Sequence, residues 1–161
     1  METEASRLRL ISLFEDLPEA ELAGLARALI TRTYARHALI SGEDEHAGDV
    51  FLILEGTVRA SSVSADGREI IYSDLGAGEI FGEFSAIDGQ PRSSSLVATS
   101  DCLLGRLPAV RFRELVAANP GVSRRLIELL VAKIRRMSER RGCSSTSRGT
   151  HATRRVATRA S

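Results

Sequence analysis

A chain of 161 residues with 43% apolar and 27% charged side chains can bury one core and has the balance of an ordinary globular domain. No apolar run approaches the roughly 20 residues of a membrane helix, and two cysteines, Cys102 and Cys143, make neither a disulfide framework nor a metal or iron–sulfur centre. The net charge of +1 conceals an asymmetry: residues 1–123 carry 11 Arg against 19 Asp and Glu, a net of −8, whereas 124–161 carry 10 Arg and 1 Lys against 2 Glu, a net of +9.

Residues 6–14 place Leu8, Ile11 and Phe14 at the spacing of a short amphipathic helix. Pro18 then suits a first helical position, Glu19 and Glu21 favour the positive end of the dipole, and Leu22, Leu25, Ala26 and Leu29 share a face. From Thr31 to Leu107 the chain reads as short strands. Tyr34, Leu39 and Ile40 precede a polar loop, 50–54 is an apolar run suited to burial on both faces, and 58–63 and 69–75 flank a turn at Asp66 and Gly67. Leu96 and Val97, then Cys102, Leu103, Leu104 and Leu107, complete a pattern that suggests a sandwich, barrel or jelly roll. A segment after Pro108 carries Val110, Leu115 and Val116 and stops at Asn119 and Pro120. The last helix, to about Arg141, spaces Ile127, Leu130, Ile134 and Met137 by three, four and three. That stripe can pack on its own domain and also present a seam to a second copy.

The stretch 79–98, EIFGEFSAIDGQPRSSSLVA, carries the chemistry. Gly82 allows close approach of a ligand and unusual dihedrals. Residues 83–87 fit one helical turn whose first N–H groups suit a phosphate. Arg92 contributes a permanent forked cation, and Ser93 and Ser94 contribute hydroxyls. A carboxylate at Glu83 would repel the phosphate, so it is read as the acceptor for a sugar hydroxyl, and the expected ligand has both phosphate and ribose.

The run FGEF, the seven residues 85–91, then Arg92 and Ser93, resembles the phosphate-binding cassette of the cyclic nucleotide-binding domain family. Phe84 stands where leucine is usual, and Ser85 where a small or apolar residue is usual. The resemblance implies an α+β fold: an antiparallel eight-stranded β-roll with the cassette between its sixth and seventh strands, N-terminal helices and a long C-terminal helix. The expected division is N-terminal helices in 1–30, the roll in 31–107, C-terminal helices in 108–141 and a disordered basic tail in 142–161. It further implies a non-catalytic sensor of cAMP or cGMP. Phe81, Gly82, Glu83, Phe84, Ser85, Arg92, Ser93 and Ser94 would form the site, with Ser94 a candidate guanine contact. The choice of base stays open.

The final helix is similar to the dimer helix of the catabolite-activator type of bacterial regulator. Counting from Asn119 and Pro120, Met137 and Ser138 fall where that type reaches the base, Ser138 being the candidate contact, and a homodimer through 122–141 is expected. That type continues into a helix-turn-helix domain. Residues 142–161 hold eight Ser or Thr, four Arg and only Val156 as a large aliphatic, so no recognition helix and no specific DNA binding are expected of this chain alone. A regulator that lacks its DNA-binding domain, or a roll that lost its ligand and serves as a scaffold, are the alternatives. Catalysis is not expected, because His37, His46 and His151 are scattered without a nucleophile or metal motif. The acidic N-terminus, without a signal-peptide core, fits the cytoplasm.

Overall fold

The computed structural model describes residues 4–45 and 48–143, the last three by backbone alone. Two units are distinguished, the first reaching Glu128 and the second beginning at Leu129. The first unit opens with helix α1 (Glu4–Leu8), a 3-10 turn at Ser12–Phe14 and helix α2 (Glu19–Ala28). The single amphipathic helix expected over 6–14 is therefore broken. The Ser12 amide leaves the helical ladder and donates to the Gly78 carbonyl at 3.2 Å, while Leu8, Ile11 and Phe14 still reach the core. Pro18 caps α2 rather than entering it.

Eight strands follow: β1 (Ile30–Tyr34), β2 (Leu39–Ser41), β3 (Val50–Glu55), β4 (Thr57–Val63), β5 (Glu69–Gly76), β6 (Ile80–Phe81), β7 (Ser95–Ala98) and β8 (Cys102–Leu107). They pair antiparallel in two four-stranded sheets, ordered β1-β8-β3-β6 and β2-β7-β4-β5, the α+β roll anticipated from the sequence. Phe51, Ile53 and Leu104 from the first sheet meet Val58, Ala60, Leu75 and Leu96 from the second, as alternate residues of a two-sheet core must. On β3 the intervening Val50, Leu52 and Leu54 are buried as well, so this strand is covered on both faces.

Helix α3 (Glu83–Asp88) sits between β6 and β7. Helix α4 (Ala109–Ala118) is capped by Pro108, and Phe112 is its fully buried anchor. Phe112→Ala is expected to cost about 3–5 kcal/mol, read as a lower urea midpoint at unchanged slope. Helix α5 (Pro120–Cys143) begins at the proline and ends two residues beyond the expected stop at Arg141. Val122 and Leu126 are buried in the first unit, whereas Ile127, Val131, Ile134 and Met137 are exposed. The expected tail, from Ser144 onward, and His46 and His151 lie outside the described residues. No helix among the described residues is long and apolar enough to cross a membrane.

Candidate functional site

Gly82 joins β6 to α3 with φ +90°, a left-handed conformation that a side chain disfavours. The first bond of the α3 ladder runs from the Ala86 amide to the Gly82 carbonyl at 3.2 Å, so the amides of residues 83–85 precede the ladder. Gly89, also left-handed, ends the helix by donating to the Ser85 carbonyl at 3.0 Å. Glu83 and Ser85 are buried in the first turn, and Phe84 is exposed.

Arg92 returns to the same place from the other side. Its amide donates to the Glu45 carbonyl at 3.1 Å and its carbonyl accepts from the Asp44 amide at 3.1 Å, so the loop after β2 clamps its backbone. The side chain is only 2% exposed. Its guanidinium lies over two rings, with centroids of Phe51 and Phe81 at 5.2 and 5.7 Å. One nitrogen, Nη2, donates to the Asp49 carbonyl at 2.7 Å, while Nε and Nη1 are buried with no partner. Burial pushes the guanidinium below its ordinary value, against the pull of Glu45 and Asp49. It still remains a cation, because arginine begins far above neutrality. A buried cation with two unused donors is costly in isolation and is arranged to accept an anion.

The structure thus brings Phe81, Gly82 and Arg92 into contact, with Glu83 and Ser85 on the adjoining turn. Ser93 is exposed and Ser94 buried, both in the bend that leads into β7. Ser138 lies on the part of α5 that belongs to the second unit, exposed, with its hydroxyl donating to the Ile134 carbonyl at 3.1 Å. Three participants were missed in the sequence. Asp49 holds Arg92 through a carbonyl, which every residue type has, so no pattern marks it. Phe51 looked like a core residue of an apolar run. Arg113 donates from Nη1 to the Ala86 carbonyl at 2.9 Å and so ties the cassette helix to α4, a contact made only in three dimensions.

Residues 31–119 match the family described as Cyclic nucleotide-binding domain. The chain belongs to the cyclic nucleotide-binding domain family. Among its relatives is the CRP-like cAMP-activated global transcriptional regulator of Mycobacterium tuberculosis, 26% identical over 124 residues, covering 77% of this chain and 55% of that protein. A cyclic nucleotide-gated potassium channel of Rhizobium etli is 34% identical over 113 residues, covering 70% of this chain and 30% of the channel. The crystal structure of the Thermus thermophilus catabolite activator protein superposes with a TM-score of 0.71 at 28% identity, over 83% of this chain and 62% of that one. The chain thus spans about half or less of the two curated relatives. Family members as different as a regulator and a channel share this domain.

Proposed function

We propose that the chain is a non-catalytic regulatory module that binds a cyclic purine nucleotide at the cassette. The carrying observation is Arg92, 2% exposed, with Nε and Nη1 unpartnered beside Gly82. In this reading Arg92 and Ser93 pair the cyclic phosphate, Glu83 accepts from the ribose hydroxyl, and the backbone of residues 82–85 lines the phosphate and sugar. Relatives described as cAMP-activated favour cAMP over cGMP. Calorimetric titration with both nucleotides tests this: micromolar or tighter binding, with cAMP preferred, is expected. No heat with either would leave a roll that acts as a scaffold.

Occupancy reaches the rest of the chain through α3. Its Ala86 carbonyl accepts from Arg113 of α4, and α4 meets α5 at Asn119, an extended residue whose side-chain amide donates to the Leu115 carbonyl at 3.0 Å. Ser123 in turn donates to the Val116 carbonyl at 2.6 Å. In this reading the α4–α5 junction, which these bonds span, is the hinge of the sensor, and a nucleotide shifts it only by its difference in affinity between two hinge states.

The module is also proposed to form a homodimer through α5 in the cytoplasm. Ile134, 62% exposed, stands in a row with Ile127 and Met137 that water would otherwise cover. Sedimentation should show a dimer that Ile134→Glu converts to monomer; a native chain that sediments as a monomer would rule the seam out. The DNA binding and channel activity of whole relatives are not carried over to this chain.

A further inference from the structure

The loop that clamps Arg92 holds more bonds than a clamp needs. After β2, the Glu43 amide donates to the Ser95 hydroxyl at 2.9 Å, and the Asp44 amide and the Glu45 carbonyl grip the Arg92 backbone from both sides. The loop is thus fixed by its own backbone, with no help from its side chains. The Glu45 carboxylate is nevertheless tied down, although the residue is exposed. Its Oε2 accepts from the hydroxyl of Ser41, a residue only 2% exposed, at 2.8 Å. Bonding to the Gly42 amide and then to Ser41 holds this carboxyl below the usual range, so it is ionised near neutrality. Fixing a surface glutamate costs side-chain entropy, which its position must offset.

That position faces Arg92, with which Glu45 lines one cavity. Burial lowers the guanidinium, and Glu45 exerts the largest opposing pull, ahead of Asp49. The Asp49 carboxylate is already answered by Nε of Arg106 at 2.6 Å, whereas Glu45 makes no ion pair among the described residues. Yet Glu45 does not close on Arg92. The one bond of that guanidinium runs from Nη2 to the Asp49 carbonyl, and Nε and Nη1 stay unpartnered. A carboxylate beside a buried cation with two empty donors gains most by pairing with it, since bonds between two ions are stronger than a bond to a hydroxyl. Ser41 and Gly42 hold it off.

We infer that Glu45 is a restrained counter-charge for Arg92, and that the Ser41 hydroxyl is the restraint. Held at a distance, the carboxylate steadies the buried cation of the empty site while leaving Nε and Nη1 open for the anionic group of the ligand. Released, it would occupy those donors and compete with the ligand. For the identity of the ligand this rests on the cassette reading, but the coupling of Glu45 to Arg92 belongs to the empty chain and can be measured there.

The test titrates cAMP calorimetrically into the full chain and into Glu45→Gln, Ser41→Ala and the double variant, with far-UV circular dichroism to check that each folds. Glu45→Gln keeps an acceptor for Ser41 and Gly42 but loses the charge that repels the phosphate. Affinity should rise about three- to tenfold at low salt, and less at high salt. Ser41→Ala frees the carboxylate; if it then fills the donors about nine-tenths of the time, affinity falls about tenfold. The double variant should regain at least the native affinity, because glutamine has no charge with which to compete. A glutamate that only shapes the loop predicts the reverse, a double variant at least as weak as Ser41→Ala, and that result would overturn the inference. Calorimetric melting without nucleotide is the second reading. Glu45→Gln should lower Tm in the native chain, and the drop should vanish in Arg92→Met; equal drops in both would also overturn it. Should no chain bind cAMP, the cassette reading fails, and the two melting comparisons alone decide the role of Glu45.

Discussion

Arg92→Met is expected to remove cyclic nucleotide binding and to make the nucleotide-free chain more stable. The loss follows from the two unused donors: without them the phosphate enters a buried site with no charge-assisted partner. That costs about 2–5 kcal/mol, roughly thirty-fold to several-thousand-fold in affinity. The gain in stability has the same origin. In the free chain Arg92 is 2% exposed, with Nε and Nη1 unsatisfied, and methionine fills the space over Phe51 and Phe81 without a charge to desolvate. The one bond given up, from Nη2 to the Asp49 carbonyl, offsets part of this. A net rise of about 1 kcal/mol, or roughly 2–4 °C in Tm, is expected by differential scanning calorimetry. Weaker affinity together with a falling Tm would mean that Arg92 serves the fold rather than the ligand.

Gly82→Ala is the second large effect, and here fold and site should fail together. At φ +90° any Cβ is strained, and this one would collide with Nη1 of Arg92 and lie 2.7 Å from the Asp49 carbonyl oxygen. The Asp49 carbonyl accepts from Nη2 of the same guanidinium, so neither group can give way without moving the other. Strain plus overpacking comes to about 3 kcal/mol, roughly 6–12 °C in Tm, with nucleotide affinity reduced at least tenfold. Gly89→Ala is the control. Its φ is +71°, but nothing lies within 4 Å of the added Cβ, so it should cost about 1 kcal/mol and spare binding. Equal effects from the two would show that the left-handed backbone alone, not the approach of Gly82 to Arg92, limits this segment.

What was legible in the sequence was what depends on neighbours in the chain. Gly82, Glu83 and Arg92 fall at fixed separations because one helical turn and one return loop connect them. The strands were readable for the same reason: the 50–54 run, buried throughout β3, and the turn at Asp66 and Gly67, where the Gly67 amide donates to the Ser64 carbonyl at 2.9 Å, are local patterns. Contacts between distant segments were not readable. The break of the first helix depends on the Gly78 carbonyl, which reaches Ser12 only after the roll has formed. Of the aromatic pair around Arg92, Phe81 belonged to the expected site, but Phe51 looked like ordinary core, since the two come from strands that pair only in the folded sheet. Arg32 and Arg106 gave no warning either. They lie far apart in the chain, and only the register of β1 on β8 makes them diagonal neighbours.

The most direct test of the central claim is amide hydrogen exchange across the whole chain, with and without saturating cAMP. If the cassette is the nucleotide site, slowed exchange should concentrate in residues 82–88, with a second change near the α4–α5 junction at residues 113–123 and little elsewhere in the roll. Exchange that is unchanged in 82–88, or slowed only in other segments, would contradict the account, whatever affinity the titration returns.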